Sequence, residues 1–230
     1  MTSANSSGWS SRNSPDMEAG AISVECHPFE PFLPEGARVL LLGSFPPQAR
    51  RWSMEFYYPN FINDFWRICG LYFFGDREHF VVPGRKRFDK EAIVTFCREK
   101  GLAMYDTASA VRRLADNASD KFLEVVEATD VAALLAKIPQ CRTLVTTGQK
   151  ATDVLVARFG CQEPAVGECV PLSLPVPVGE SVPAPVGEGT PTSVPIREMS
   201  FWRMPSTSRA YPRSLEKKTE AYARVFASVG

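Results

Sequence analysis

Long apolar runs are missing from this chain. None of about 18 residues, the least that spans a bilayer, occurs in its 230 residues. The opening MTSANSSGWSSRNSPD has neither the basic start nor the apolar segment of a secretory signal. Both absences predict a cytoplasmic protein with no membrane partner. Histidine is scarce, with His27 and His79 far apart, and the six cysteines at 26, 69, 97, 141, 161 and 169 contain no CxxC pair. The spacing therefore offers no zinc or iron-sulfur site, no metal or other cofactor is expected, and the cysteines read as reduced, mostly buried thiols. No Gly-Lys-Ser/Thr tripeptide follows a glycine-rich loop, so a Walker-type nucleotide site is excluded.

Net charge is also lacking, with 26 Lys and Arg against 26 Asp and Glu. The charge is unevenly spread, however. Residues 37–113 carry 13 basic against 8 acidic side chains and residues 197–230 carry 7 against 3, whereas residues 1–36 and 161–196 are each acidic by four. An anionic ligand near the two basic segments and a solvated basic face without a partner are both compatible with this pattern.

What is present suggests one domain, which 230 residues with 44% hydrophobic content can support. Residues 1–22, rich in Ser, Asn and Gly, are expected to be a disordered tail. Residues 161–195 hold eight of the nineteen prolines and a degenerate PAVGE/PVGE repeat at 164, 177 and 185. That composition favours extended chain and forbids helix, so the segment reads as an inserted loop within a domain spanning 23–230. Elsewhere strands and helices alternate. ARVLLLG (37–43), LAMYD (102–106), TLVTTG (143–148) and IREMSFWRM (196–204) read as strands. Helices are predicted after Asp89, through AALLAKI (132–138), over 149–159 and at the C-terminus. The expected fold is an α/β, three-layer αβα sandwich around a mainly parallel, four-stranded sheet. Ligands of such sheets bind beyond the carboxyl ends of the strands, which singles out GSFPP, Asp106, TTGQK and MPSTSRAYP.

GSFPPQARR (43–51) joins a glycine that admits close approach, a hydroxyl and two stiffening prolines. MPSTSRAYP (204–212) sets three hydroxyl residues and an arginine between prolines, suited either to phosphate oxygens or to capping a helix. In YYPNFINDFW (57–66), Pro59 and Asn60 are expected to start a helix whose inward stripe is Phe61, Ile62, Phe65, Trp66 and Cys69. Asn63 can then reach back to the cap or face a pocket, and Tyr57 and Tyr58 precede the helix with freedom to face a ligand.

Taken together, these three motifs resemble the uracil-DNA glycosylase superfamily over roughly residues 37–222, less the proline-rich segment. They look most like its hypoxanthine (deoxyinosine) glycosylase branch, whose GS-x-P, YYAHPRNAFW and LPSTSPAN patterns are echoed by GSFPP, YYPNFINDFW and MPSTSRAYP. The resemblance implies a monofunctional DNA glycosylase, acting as a monomer on DNA that contains a damaged base. Asn63 matches the asparagine of the branch's NxFW motif and would be catalytic. Phe45 stands where uracil-specific members carry a water-orienting Asp or Asn, and Met204 stands where HPSP-bearing members carry histidine. Phe45, Tyr57 and Phe65 would wall the base. Asp106 matches a base-reading position and could accept a lactam N–H but not bond the adjacent carbonyl. It could equally be a helix cap. Ser44, Pro46 and Gln48 of the first loop, with Ser206, Thr207, Ser208 and Arg209 of the last, would contact DNA. Two other readings fit the residues: a catalytically silent member that binds DNA or a base, and a different α/β hydrolase acting on nucleosides or nucleotides.

Overall fold

Strand β2, Val39–Gly43, has every residue buried and hydrogen-bonded neighbours on both sides. In this computed structural model, which describes residues 23–115, 120–175 and 196–229, it pairs in parallel with β3 (Leu102–Asp106) and β6 (Thr143–Thr147). Strand β6 pairs in parallel with β8 (Ile196–Met204). The four strands read from the sequence are thus the four parallel ones.

The sheet has a fifth member, β7 (Glu168–Pro175), antiparallel to β8 at the edge, giving the order β3-β2-β6-β8-β7. This corrects the expected count of four. The strand lies within the segment read as an insert, and its physical basis is plain: Leu172 and Leu174 point inward at alternate positions, and an edge strand tolerates prolines at 171 and 175. The expected tail (1–22) and the remainder of the expected insert (176–195) lie outside the described residues.

Alternation along β2 divides the core. Val39 and Leu41 face one layer, with helices α1 (Phe65–Phe74), α2 (Lys90–Lys100) and α5 (Leu215–Phe226) supplying Trp66, Phe96 and Tyr222. Leu40 and Leu42 face the other, against α3 (Val131–Lys137) and α4 (Gln149–Phe159). Asp89 caps α2 by accepting from the Ala92 N–H at 3.1 Å, and Gly101 ends it in the left-handed region at φ 63°. Among the described residues no helix is long and apolar enough to cross a membrane.

A second sheet was not legible. Strands β1 (Val24–Cys26), β4 (Ala108–Arg113) and β5 (Leu123–Ala128) form an antiparallel sheet in the order β1-β4-β5. Its inner face holds Ala108, Val111 and Leu123 against Phe45, anchoring the first loop from the side.

One helix starts later than predicted. Asn60 and Phe61 belong to a turn, and α1 begins only at Phe65. Ile62, expected in the inward stripe, is 52% exposed, whereas Phe65, Trp66 and Cys69 are fully buried.

Candidate active site

The register of the parallel sheet brings the predicted loops together. Gly43 and Asp106 are partners across β2 and β3, and Thr147 and Met204 across β6 and β8, so their following residues emerge on one edge. There Ser44, Phe45, Pro46, Tyr57, Asn63, Asp106, Ser206, Thr207 and Ser208, all singled out from the sequence, line one cavity. It holds about 710 Å³ of space, open mouth included. Three sequence-predicted site residues are not in its wall. Phe65 is fully buried behind Tyr58, stacked on it at 4.0 Å between ring centroids. Gln48 points to Arg50, whose Nε–H donates to its Oε1 at 3.1 Å. Arg209 is half exposed beside Asp64, at 3.6 Å.

Asn63 is placed by a short network. Its backbone N–H donates to the Asn60 carbonyl at 2.8 Å, and its side-chain Oδ1 accepts from the Phe65 N–H at 2.9 Å. That second bond orients the amide, and its NH2 group has no partner among the described residues. Arg67, itself buried, holds the preceding turn through the Phe61 carbonyl at 2.6 Å and lies over the Phe61 and Phe88 rings. Asn63 therefore both satisfies a helix donor and faces the cavity. The expected reach back from within the helix is not made, because Asn63 precedes α1 and its Oδ1 accepts forward from the first residue of the helix.

Tyr58 is the strained residue of the site. It is the one non-glycine residue with positive φ among those described, at 51°, a conformation that costs of order 1–3 kcal/mol. Compensation comes from its stack on Phe65 and from a hydrogen bond between its hydroxyl and Thr147 Oγ1 at 3.0 Å. Tyr57, expected to be free, is 3% exposed and donates its hydroxyl to the Glu30 carbonyl at 2.8 Å. Burial pushes both phenols well above their ordinary pKa, so each stays protonated.

Two carboxyl groups meet the cavity. Asp106 Oδ2 lies 3.0 Å from His27 Nε2, and both side chains are nearly closed to solvent. Nδ1 of the same ring lies 3.1 Å from the Phe29 N–H and 2.8 Å from the Phe29 carbonyl. Asp120 is the second group; burial, and then the Asp106 charge, raise its pKa above the ordinary value, against the effect of the Ser44 hydroxyl.

The last loop is tied down from beneath. The Asp64 N–H donates to the Thr207 carbonyl at 2.9 Å, and fully buried Lys218 bridges Asp64 Oδ2 and the Ser208 carbonyl, each at 2.8 Å. The Tyr222 hydroxyl donates to the Pro205 carbonyl at 3.0 Å. Helix α5 thus fixes the Ser-Thr-Ser loop and the residue after Asn63 as one unit. Met204, by contrast, is buried in the core and presents nothing to the cavity.

No family model matches the chain, and none of the curated proteins does. Solved structures do match. One, a solution NMR structure from Methanosarcina acetivorans, is described as a "putative Uracil DNA glycosylase" and aligns over 89% of this chain and 99% of its own at a TM-score of 0.54 and 20% identity. The chain has a uracil-DNA-glycosylase-like fold. Within that fold the cavity occupies the strand-end position, and four residues in or beside its wall escaped the sequence motifs or were given no role there. Asn60 and Thr147 lie in motif segments but were given no side-chain role at the site, whereas Tyr58, expected to be free to face a ligand, lines the cavity while held by Phe65 and Thr147. His27 and Asp120 come from segments with no motif at all, and only the second sheet, which seats both near the first loop, brings them in.

Proposed function

We propose that the chain is a monofunctional DNA glycosylase that hydrolyses the N-glycosidic bond of a deaminated base, hypoxanthine or uracil, in DNA. The observation that carries this reading is the convergence of Asn63, Asp106 and the Ser206–Ser208 loop on a single cavity at the strand ends of this fold. A nucleotide swung out of the stack would enter along Phe45 and Tyr58. Asp106 would accept the lactam N–H of its base. Asn63 holds a water toward C1′. As the C1′–N bond breaks, its electron pair leaves on the base and the water oxygen bonds to C1′. The water's proton passes through solvent to the base anion. Asn63, being neutral, positions that water and takes no proton at neutral pH. Serine hydroxyls and free backbone N–H groups of the last loop suit the flanking phosphates, with Arg209 beside them.

A second reading, a member that binds a base or DNA without cleaving, is favoured by two features: Phe45 offers no polar group to water and Met204 is withdrawn into the core. One panel separates the readings. Duplexes containing uracil, hypoxanthine or xanthine are incubated with the protein, and abasic sites are cleaved with alkali. Strand breaks are expected with at least one base, and Asn63→Ala is expected to lower single-turnover release by about a hundredfold or more while changing duplex affinity less than about threefold. Absence of breaks with every substrate rejects the enzyme in favour of the binding protein. Base release from free nucleosides without duplex affinity points instead to a nucleoside hydrolase.

A further inference from the structure

The proposed reaction gives His27 no task, yet its side chain is almost closed to solvent and held from several sides. Its backbone N–H is tied to Ser109 of β4 at 2.8 Å, its ring is walled by Tyr105 at 4.5 Å and Phe45 at 5.3 Å, and its side chain is 2% exposed. A carboxylate oxygen only accepts, so the ring nitrogen 3.0 Å from Asp106 Oδ2 carries the proton and donates it. Oδ2 is then committed. Oδ1 lies over the backbone of Gly43, where an added Cβ would stand 2.4 Å away, and both residues line the cavity. A carboxylate that merely stabilised the fold would have no reason to keep one oxygen at the cavity wall.

We infer that His27 is a positioning residue: by holding Oδ2 it leaves Oδ1 alone to face the ligand, and so sets a preference for bases that carry an N–H beside a carbonyl over N-alkylated ones. This rests on Asp106 as the base acceptor under the proposed function. The physical reason is preorganisation. A carboxylate already fixed in one orientation loses little freedom when it accepts the substrate N–H, whereas a loose one must be ordered at the cost of affinity. Nδ1, which then accepts from the Phe29 N–H at 3.1 Å, keeps the ring from rotating.

The test needs no catalysis. Calorimetric titration of the full chain with hypoxanthine and with 1-methylhypoxanthine, whose N–H is blocked, should show the wild type preferring hypoxanthine by about tenfold, the scale of one hydrogen bond to a charged group. His27→Leu should lose that preference. His27→Gln, whose amide N–H can donate in place of the ring, should restore it. Gly43→Ala should lose it with His27 intact, because its Cβ displaces Oδ1. Should His27→Leu fail to fold, the His27 Nε2–H resonance of the wild type decides instead: it should shift on addition of hypoxanthine and not of the methylated base. An equal preference in His27→Leu and wild type, no preference in the wild type, or a resonance indifferent to hypoxanthine overturns the inference. The glycosylase reading is judged separately by the alkali panel. A chain that releases no base but shows a His27-dependent preference loses that reading and keeps this one, and the reverse result does the opposite.

Discussion

Asp120 shows how a single side chain registers the electrostatics of the cavity. Burial comes first and the Asp106 charge adds to it, so folding raises this carboxyl above its ordinary value of 3.8. The folded state then holds the proton more tightly than the unfolded one. Between 3.8 and the raised value, stability must therefore fall as pH rises, and below that window the effect is absent. Asp120→Asn carries no such charge. Melting curves from about pH 3 to pH 7 should show the variant gaining on the wild type as pH rises and the two converging at the acid end. A constant offset across the range would rule out this origin. At this scale the sequence was informative where residues sat inside a motif. Asp106 and Ser206 could be named because they follow predicted strands directly, and Asn63 because it matches the asparagine of a family motif. Nothing local marks His27 or Asp120, whose roles arise only when distant segments meet.

Helices α1 and α5 are joined through a buried charge. Lys218 is fully enclosed, and Asp64 with the Ser208 carbonyl is its surrounding. Lys218→Met would leave the buried Asp64 carboxylate with only the half-exposed Arg209 at 3.6 Å, a loss of about 3 kcal/mol by urea denaturation. Adding Asp64→Asn should recover most of that loss, since no charge is then left unpaired; a double variant as unstable as the single one would contradict the assignment. Because this pair ties the Ser-Thr-Ser loop to the start of α1, activity should fall in both variants. The four parallel strands of the main sheet and helices α2 to α5 were legible because long apolar periodicity and caps such as Asp89 agree with the tertiary environment. The start of α1 was not: Pro59 and Asn60 favour a helix locally, but Tyr58 in the left-handed region turns the chain and Arg67 holds Phe61 in a turn. Strands β4 and β5 were missed because they are short and carry Glu and Arg on their outer face, which periodicity alone does not separate from loop.

At the scale of the whole molecule, the antiparallel pair β7 and β8 brackets the proline-rich segment 176–195. Pro175 and Ile196 are cross-strand partners at the ends of β7 and β8, so the chain between them leaves and returns at one point of the sheet edge. Replacing residues 176–195 with a four-residue Asn-Gly turn should preserve the fold and any base-release activity, with about 1 kcal/mol gained from the shorter closure. Thermal denaturation and the duplex assay check both, and loss of activity with a stable fold would show that the segment takes part in function.

The parallel pairing of Gly43 with Asp106 has a further consequence. The spacing between the first loop and the Asp106 carboxylate is dictated by main-chain hydrogen bonds, which do not vary with side-chain identity. A slip of one residue would turn both strands inside out. Under the proposed function, divergence is thus channelled: a new base preference would arise by exchanging what stands at positions 27, 45 or 106, while the distance between the two walls stays inherited.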